Sequence, residues 1–103
     1  MKIVWTENAE LQLDKTANYI LDVYGAASRV KFLNDVLYTV QLLETQPYIG
    51  IIEPLLKDRT SSYRSIPTDK INRIVYRIID NSVEISDIWD MRRCPDSLAN
   101  RIN

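Results

Sequence analysis

The sequence predicts an α+β fold in which an antiparallel helical hairpin packs on one face of an antiparallel β-sheet. Two consecutive segments with apolar residues at helical spacing occupy the first half of the chain. Three consecutive segments rich in β-branched and aromatic residues follow, separated by short turns. A short strand candidate precedes the helices, so the expected order is β-α-α-β-β-β. There is no βαβ alternation and no glycine-rich phosphate loop, so a nucleotide-binding parallel sheet is not expected.

Length and composition limit the possible chemistry. The chain has 103 residues, and we expect a single domain over residues 1–103. It has no histidine, which excludes conventional histidine-based zinc sites and histidine general bases, and we expect no metal and no cofactor. Cys94 is the only cysteine, so no internal disulfide can form, and a reducing cytoplasm is the expected location. The sequence has no secretion signal and no apolar run long enough to span a bilayer, and we expect no contact with a membrane.

The first helix is predicted over residues 7–24, after a strand candidate at residues 2–5. Thr6 offers a hydroxyl as N-cap, and Glu7 places a negative charge in the first turn, where the helix dipole favours an anion. Gly25 can end the helix in a left-handed conformation. The residues at helical spacing that indicate the buried face are Leu13, Ala17, Ile20, Leu21 and Tyr24.

A second amphipathic helix follows and ends before Pro47. Because the connection is only a few residues long, the two helices should lie antiparallel. The residues expected to form its buried stripe are Val30, Leu33, Val36, Leu37, Val40 and Leu43.

The segment 48–60 is broken by Gly50 and Pro54, and four apolar residues are expected to pin it to the core. These four residues are Ile51, Ile52, Leu55 and Leu56. Strands are predicted over residues 61–66, 71–79 and 83–89, with turns at residues 68–70 and 80–82. The tail after Asp90 is polar, with one short helical turn expected at residues 97–102.

Arginines in the predicted sheet are the main candidates for function. Arg73 and Arg77 lie two residues apart and therefore share one face of their strand. One interpretation is that they are surface charges, with a partner in Glu84 across the hairpin. The other is that they join Arg64, Arg92 and Arg93 to hold phosphates, which guanidinium groups bind bidentately. The net charge of −1 argues against strong non-specific binding of nucleic acid, but the second half of the chain is enriched in cations.

Other side chains allow alternative roles. Tyr76 and Trp89 can stack on bases, although core packing is the favoured interpretation for both. Cys94 beside the two arginines can have a lowered thiol pKa, but without a histidine partner a catalytic cysteine is not expected. Glu84 and Asp87 are expected on opposite faces of their strand, so they do not form a metal site together.

Several of these segments resemble the RelE/ParE family of toxins, the toxin halves of bacterial type II toxin–antitoxin pairs. The resemblance covers essentially the whole chain, and its most specific part is the R-I-V-Y-R-I strand followed by W-D-x-R-R-x-P. It implies a helical hairpin on an antiparallel sheet, and an antitoxin that wraps the toxin and blocks its active face. It also implies assembly as a homodimer or as a toxin–antitoxin hetero-oligomer. The segments that carry it are Trp5-Thr6, Pro47 to Pro54, Tyr63 to Ile66, Arg73 to Ile78 and Ile88 to Pro95.

Two activities follow from this resemblance. RelE-like members cut mRNA in the ribosomal A site, and ParE-like members inhibit DNA gyrase. For a nuclease, the positions carried over from the family give catalytic roles to Arg64, Arg73 and Arg93, and we expect Arg77, Arg92 and Trp89 to contact nucleic acid. The sequence departs from the nuclease pattern in two ways: a basic residue is replaced by Ile66, and no tyrosine follows Tyr76.

Three hypotheses remain from the sequence. The preferred one is a ribosome-dependent mRNA endonuclease, whose partners would be the ribosome and mRNA. The second is a gyrase inhibitor without nuclease activity, supported by the missing general acid and base. The third is a non-toxic relative that only binds a partner protein.

Overall fold

A computed structural model of the chain describes residues 1–93 and 95–102, including the backbone but not the side chains of residues 95 and 96. A strand, two helices, four further strands and a C-terminal helix follow one another, and a single 3-10 turn at Pro54–Leu56 separates the second and third strands. Their bounds are β1 (Lys2–Trp5), α1 (Glu7–Tyr24), α2 (Ala26–Thr45), β2 (Ile51–Ile52), β3 (Tyr63–Pro67), β4 (Asn72–Ile79), β5 (Ser82–Asp90) and α3 (Pro95–Arg101). No helix in this described part of the chain is long and apolar enough to cross a membrane.

The strands form one sheet in the order β1-β5-β4-β3-β2. The predicted α+β class with a helical hairpin on a sheet is confirmed, but the sheet is mixed, because β1 pairs with β5 in parallel. The other three pairs are antiparallel, as expected from their short connections. Which strand pairs with an isolated N-terminal strand depends on contacts distant in the chain, so local sequence patterns do not predict it.

The ends of α1 are as predicted. Thr6 Oγ1 accepts a hydrogen bond from Ala9 N at 3.1 Å, which caps the first turn. Gly25 has a φ of 96°, and its N–H donates to the carbonyls of Ile20 and Leu21, both at 3.1 Å. The same residue precedes α2, so the two helices reverse direction within a single residue.

The two helices cover one face of the sheet, which we call the helix face. Phe32, Val36, Val40 and Leu43 of α2 are buried there, so the predicted stripe is confirmed at Val36, Val40 and Leu43. Val30 and Leu37 are exposed and were predicted wrongly. Both are apolar, but they lie on the outer side of α2. The buried side consists of Phe32 and the residues that follow it at spacings of three or four. The sheet residues that line the helix face are Ile74, Tyr76, Val83, Ile85 and Ile88.

The opposite face, which we call the tail face, is covered by α3. Leu98 and Ile102 are buried against Val75 and Trp89. The single helical turn expected after Asp90 is therefore a helix that packs on the sheet. Its apolar residues are four apart, but the segment is too short and polar for periodicity to show it.

The segment between α2 and β3 is held differently from the prediction. Leu56 is buried as expected, but Ile51, Ile52 and Leu55 are exposed, so three of the four predicted core contacts are wrong. Ile51 and Ile52 pair with β3 through the backbone as a short edge strand. Residues that were not predicted as anchors, Gly50 and Glu53, are buried instead.

An irregularity in β5 changes which side chains share a face. Val75 pairs with Asp87 and Tyr76 pairs with Ile85, so Ser86 is an extra residue in β5. Glu84 and Asp87 therefore both lie on the tail face, and the prediction that they lie on opposite faces is wrong. The β4–β5 turn is as predicted, with positive φ at Asp80 and Asn81 (52° and 59°).

Candidate functional site

Arg64 lies on the helix face of β3, since it pairs directly with Tyr76 of β4. Its Nη1 donates to the carbonyl of Gly50 at 2.8 Å, and the guanidinium lies 5.2 Å from the ring centroid of Tyr48. The side chain therefore fastens the segment before β2 to the sheet, and part of its hydrogen-bonding capacity is already used.

Arg73 lies on the tail face, since it pairs with Trp89 of β5. Its Nη1 is 3.5 Å from Glu53 Oε1, and the Glu53 side chain is only 1% exposed. A buried carboxylate requires a cation nearby, so Arg73 compensates the charge of Glu53. Arg64 and Arg73 thus point to opposite faces of the sheet, and they do not form one phosphate clamp in this conformation.

Arg77 is paired across the hairpin, as one of the two interpretations predicted. Its Nε donates to Glu84 Oε1 at 2.9 Å, and its Nη1 donates to Ser61 Oγ at 2.8 Å. The hydrogen bond to Glu84 raises the pKa of Arg77. The guanidinium also lies 5.6 Å from the ring centroid of Tyr63. These contacts are those of a structural ion pair.

Trp89 is buried in the tail-face core and is only 2% exposed, so its ring is not available for stacking on a base. Arg101 of α3 lies 5.1 Å from the ring centroid and binds both carboxylate oxygens of Asp87, at 2.6 and 3.0 Å. Burial raises the pKa of Asp87 more than Arg101 lowers it. Core packing is therefore confirmed for Trp89, and its expected contact with nucleic acid stays a prediction that this conformation does not support.

Tyr76, the last tyrosine of the chain, is also buried. Its hydroxyl donates to the carbonyl of Pro47 at 2.8 Å and accepts from Gly50 N at 2.9 Å. Burial raises the pKa of this hydroxyl. With both hydrogen bonds made inside the protein, Tyr76 has a structural role. Cys94, the nucleophile considered from the sequence, lies outside the described residues.

Arg92 and Arg93 remain exposed in the turn that follows β5. Arg92 donates to both carboxylate oxygens of Asp90, from Nε at 3.1 Å and from Nη2 at 2.8 Å. These hydrogen bonds hold the pKa of Asp90 below its usual value. The side chain of Arg92 is still 61% exposed, and Arg93 has no ion pair among the described residues.

The two arginines form one wall of a cleft of about 220 Å³ between the end of β5 and α1. Lys15, Thr16 and Tyr19 of α1 form the other wall. We call this the α1–β5 cleft. The sequence reasoning missed its helical side, although Gln12, Lys15, Thr16 and Tyr19 follow the spacing i, i+3, i+4, i+7 that places residues on one side of a helix. Of the three proposed catalytic arginines, only Arg93 borders it.

The outer side of the hairpin presents a second feature, a strip of exposed apolar side chains on α2. Val30, Leu37 and Tyr38 form this α2 strip, and Tyr38 is the most exposed of them. Exposed apolar side chains on the outer side of a helix make this strip a candidate surface for contact with another protein.

The element order, the sheet order and the helical hairpin together define the fold of the RelE/ParE toxins. A family model described as the ParE toxin of the type II toxin–antitoxin system, parDE, matches residues 3–95. The chain therefore belongs to the ParE toxin family of type II toxin–antitoxin systems. No sequence among the curated proteins matches it.

Solved structures are similar in fold at low sequence identity. A chain of the chromosomal ParDE toxin–antitoxin system from P. aeruginosa superposes with a TM-score of 0.71 at 19% identity, over 87% of this chain and 95% of that one. A YoeB/ParE toxin from Agrobacterium tumefaciens gives 0.60 at 19% identity, over 87% and 98%. A YoeB dimer from Staphylococcus aureus gives 0.56 at 19% identity, over 84% and 92%.

Proposed function

We propose that this toxin inhibits DNA gyrase by binding it, without cutting RNA. The observation that carries the proposal is the α2 strip, an apolar surface on the outer side of α2, away from the side that packs on the sheet. A toxin that works by binding requires such a surface, whereas a nuclease requires converging catalytic groups. Membership of the ParE family supports the same target.

The arrangement of the arginines supports a mechanism without nuclease chemistry. Phosphodiester cleavage needs cations gathered on one phosphate, together with groups that move protons. Arg64 and Arg73 lie on opposite faces of the sheet, and each already binds a group of the protein. The tail face, to which Arg73 belongs, is occupied by Leu98 and Ile102.

A ribosome-dependent mRNA endonuclease remains the second candidate, because Arg93 and Arg92 are exposed at the end of β5. In that mechanism Arg64, Arg73 and Arg93 would be catalytic, and Arg73 would have to release Glu53 to bind RNA.

Two assays with the same purified protein separate these candidates. The first is supercoiling of relaxed plasmid by gyrase, and the second is primer extension on mRNA incubated with translating ribosomes. We expect loss of supercoiling and no new RNA ends. New ribosome-dependent ends that vanish in Arg73→Ala, together with normal supercoiling, would instead identify the nuclease. A protein that is inactive in both assays and harmless on strong expression would be a partner-binding relative.

A cognate antitoxin is the expected partner of a toxin in this family. We propose that it covers the α2 strip, because an antitoxin that neutralises a binding toxin must occupy the surface used on the target. Assembly as a toxin–antitoxin hetero-oligomer or as a toxin homodimer is compatible with this surface.

A further inference from the structure

We propose that the α1–β5 cleft binds a phosphate group of a nucleic-acid backbone. This proposal does not depend on the target proposed above, because gyrase inhibition and binding to an oligonucleotide are measured separately. It assigns a ligand to residues of α1 that no catalytic scheme for the chain uses.

The cleft is positively charged, which suits an anionic ligand. Lys15, Arg92 and Arg93 line it, with Asp90 as the one carboxylate. Asp90 is occupied by the guanidinium of Arg92, which leaves Lys15 and Arg93 without an ion pair among the described residues. The whole chain has a net charge of −1, so a positive cleft is a local concentration of charge and does not follow from the composition.

The floor of the cleft offers polar groups that hydrogen bonds within the protein hold in place. Gln12 and Asn72 line the cleft and are each only 6% exposed. Gln12 Nε2 donates to Asn8 Oδ1 at 3.3 Å, and Asn72 Nδ2 donates to Asp69 Oδ2 at 3.2 Å. Gln12 Nε2 makes this one hydrogen bond within the part of the chain that the structure describes, and in the proposed complex its second amide hydrogen would donate to the ligand.

The geometry favours phosphate over carboxylate. The cations lie on both walls of the cleft, one on α1 and two after β5, so a ligand must present acceptors in several directions. The oxygens of a phosphate group point in several directions, whereas a single guanidinium can bind both oxygens of a carboxylate.

An aromatic side chain beside the cations favours a nucleic acid over a free phosphate. Tyr19 lines the cleft and is 53% exposed, and its ring contacts the ring of Tyr24 edge-on at a centroid distance of 6.5 Å. Exposed rings next to phosphate-binding cations provide a stacking surface for bases. We therefore assign a single strand, whose unpaired bases can reach Tyr19.

The test measures binding of a short fluorescein-labelled single-stranded DNA by fluorescence anisotropy, over a series of salt concentrations. With two phosphate contacts, from Lys15 and Arg93, the slope of log K against log salt should be roughly −1.4, and it should become shallower by about 0.7 when one of these cations is removed. We expect Lys15→Ala and Arg93→Ala each to weaken binding about fivefold. Asp90→Asn should tighten it, because the asparagine keeps an oxygen for the turn and removes the opposing charge.

Lys57→Ala is the matched control, because Lys57 is an exposed cation outside the cleft. It should leave both the affinity and the salt slope unchanged. Equal losses in Lys57→Ala and Arg93→Ala would reduce the effect to net charge and overturn the proposal. So would absence of binding at low salt, or unchanged affinity in Asp90→Asn. Stronger competition by polyglutamate than by unlabelled DNA would identify the cleft as a site for an acidic protein.

The same titration with an RNA strand and with duplex DNA identifies the source of the phosphate. Tighter binding of single strands than of duplex supports the stacking role of Tyr19, and Tyr19→Ala should then lower single-strand affinity selectively. Equal binding of duplex and single strands, unaffected by Tyr19→Ala, would overturn the assignment of a single strand.

Discussion

At the scale of single residues, Tyr76 joins the sheet to the segment that follows α2. Its hydroxyl donates to one backbone group and accepts from another, so it replaces two hydrogen bonds that the irregular segment could not make within itself. Gly50 makes this possible, because a Cβ at that position would lie 2.6 Å from Tyr76 Oη and 2.8 Å from the carbonyl oxygen of Ser65. The requirement for glycine here is one of space.

We expect Tyr76→Phe to lower the free energy of unfolding by about 2 kcal/mol, because the N–H of Gly50 loses its buried acceptor. The measurement is urea denaturation followed by circular dichroism. Tyr48→Phe is the control, since Tyr48 is exposed and its ring would keep its contact with Arg64. Equal stability of the Tyr76→Phe variant and the unchanged protein would show that water replaces the tyrosine hydroxyl at no cost.

At the scale of elements, α3 covers the tail face of the sheet, so that both faces are covered by helices. The helix is held by the apolar contacts of Leu98 and Ile102 and by the ion pair between Arg101 and the buried carboxylate of Asp87. A pair in which one partner is fully buried costs more to break than a surface pair. Trp89 lies beneath α3 and reports on whether the helix is in place.

We expect Leu98→Ala to destabilise the protein by about 3 kcal/mol, the usual cost of a truncated core leucine. In a Trp5→Phe background, the emission of Trp89 should also shift to longer wavelength, because loosening of α3 admits water to the indole. Ser97→Ala, at an exposed position of the same helix, is the control and should change neither quantity. An unshifted spectrum in destabilised Leu98→Ala would mean that α3 stays docked.

The sequence predicted the existence and type of every long element, and the reasons for the failures are physical. The bounds of α1 were predictable because Thr6 and Gly25 act locally. The exposure of Leu37 was not, because an apolar residue on the outer side of a helix has the same hydropathy as one buried in the core. The pairing of Arg73 with Glu53 depends on contacts distant in the chain. The sequence therefore identified the arginines but did not predict their partners or the face of the sheet on which each one lies.

At the scale of the whole molecule, two surfaces of different chemistry lie on different elements. The α1–β5 cleft is positive and polar, whereas the α2 strip is apolar. On the two proposals above, a protein partner and a nucleic acid would bind at separate places, and variants should remove one contact without the other.

We expect the double substitution Leu37→Asp with Tyr38→Asp to weaken gyrase inhibition and antitoxin binding by about tenfold or more, because central apolar contacts dominate protein interfaces. Stability should change little, since both side chains are exposed. Ser28→Asp adds a negative charge at an exposed position of α2 outside the strip and is the control. Full inhibition by the double variant would place the gyrase contact elsewhere.

The parallel pairing of β1 with β5 has a consequence for synthesis of the protein. Thr6, directly after β1, bonds to Ser86, 80 residues later. The first strand therefore has no partner until β5 has left the ribosome, and contacts of such long sequence separation form slowly. During translation the helical hairpin emerges early with its apolar sides exposed, while the sheet is incomplete. If the antitoxin binds the α2 strip as proposed, its binding surface is therefore synthesised before the sheet of the toxin can be completed.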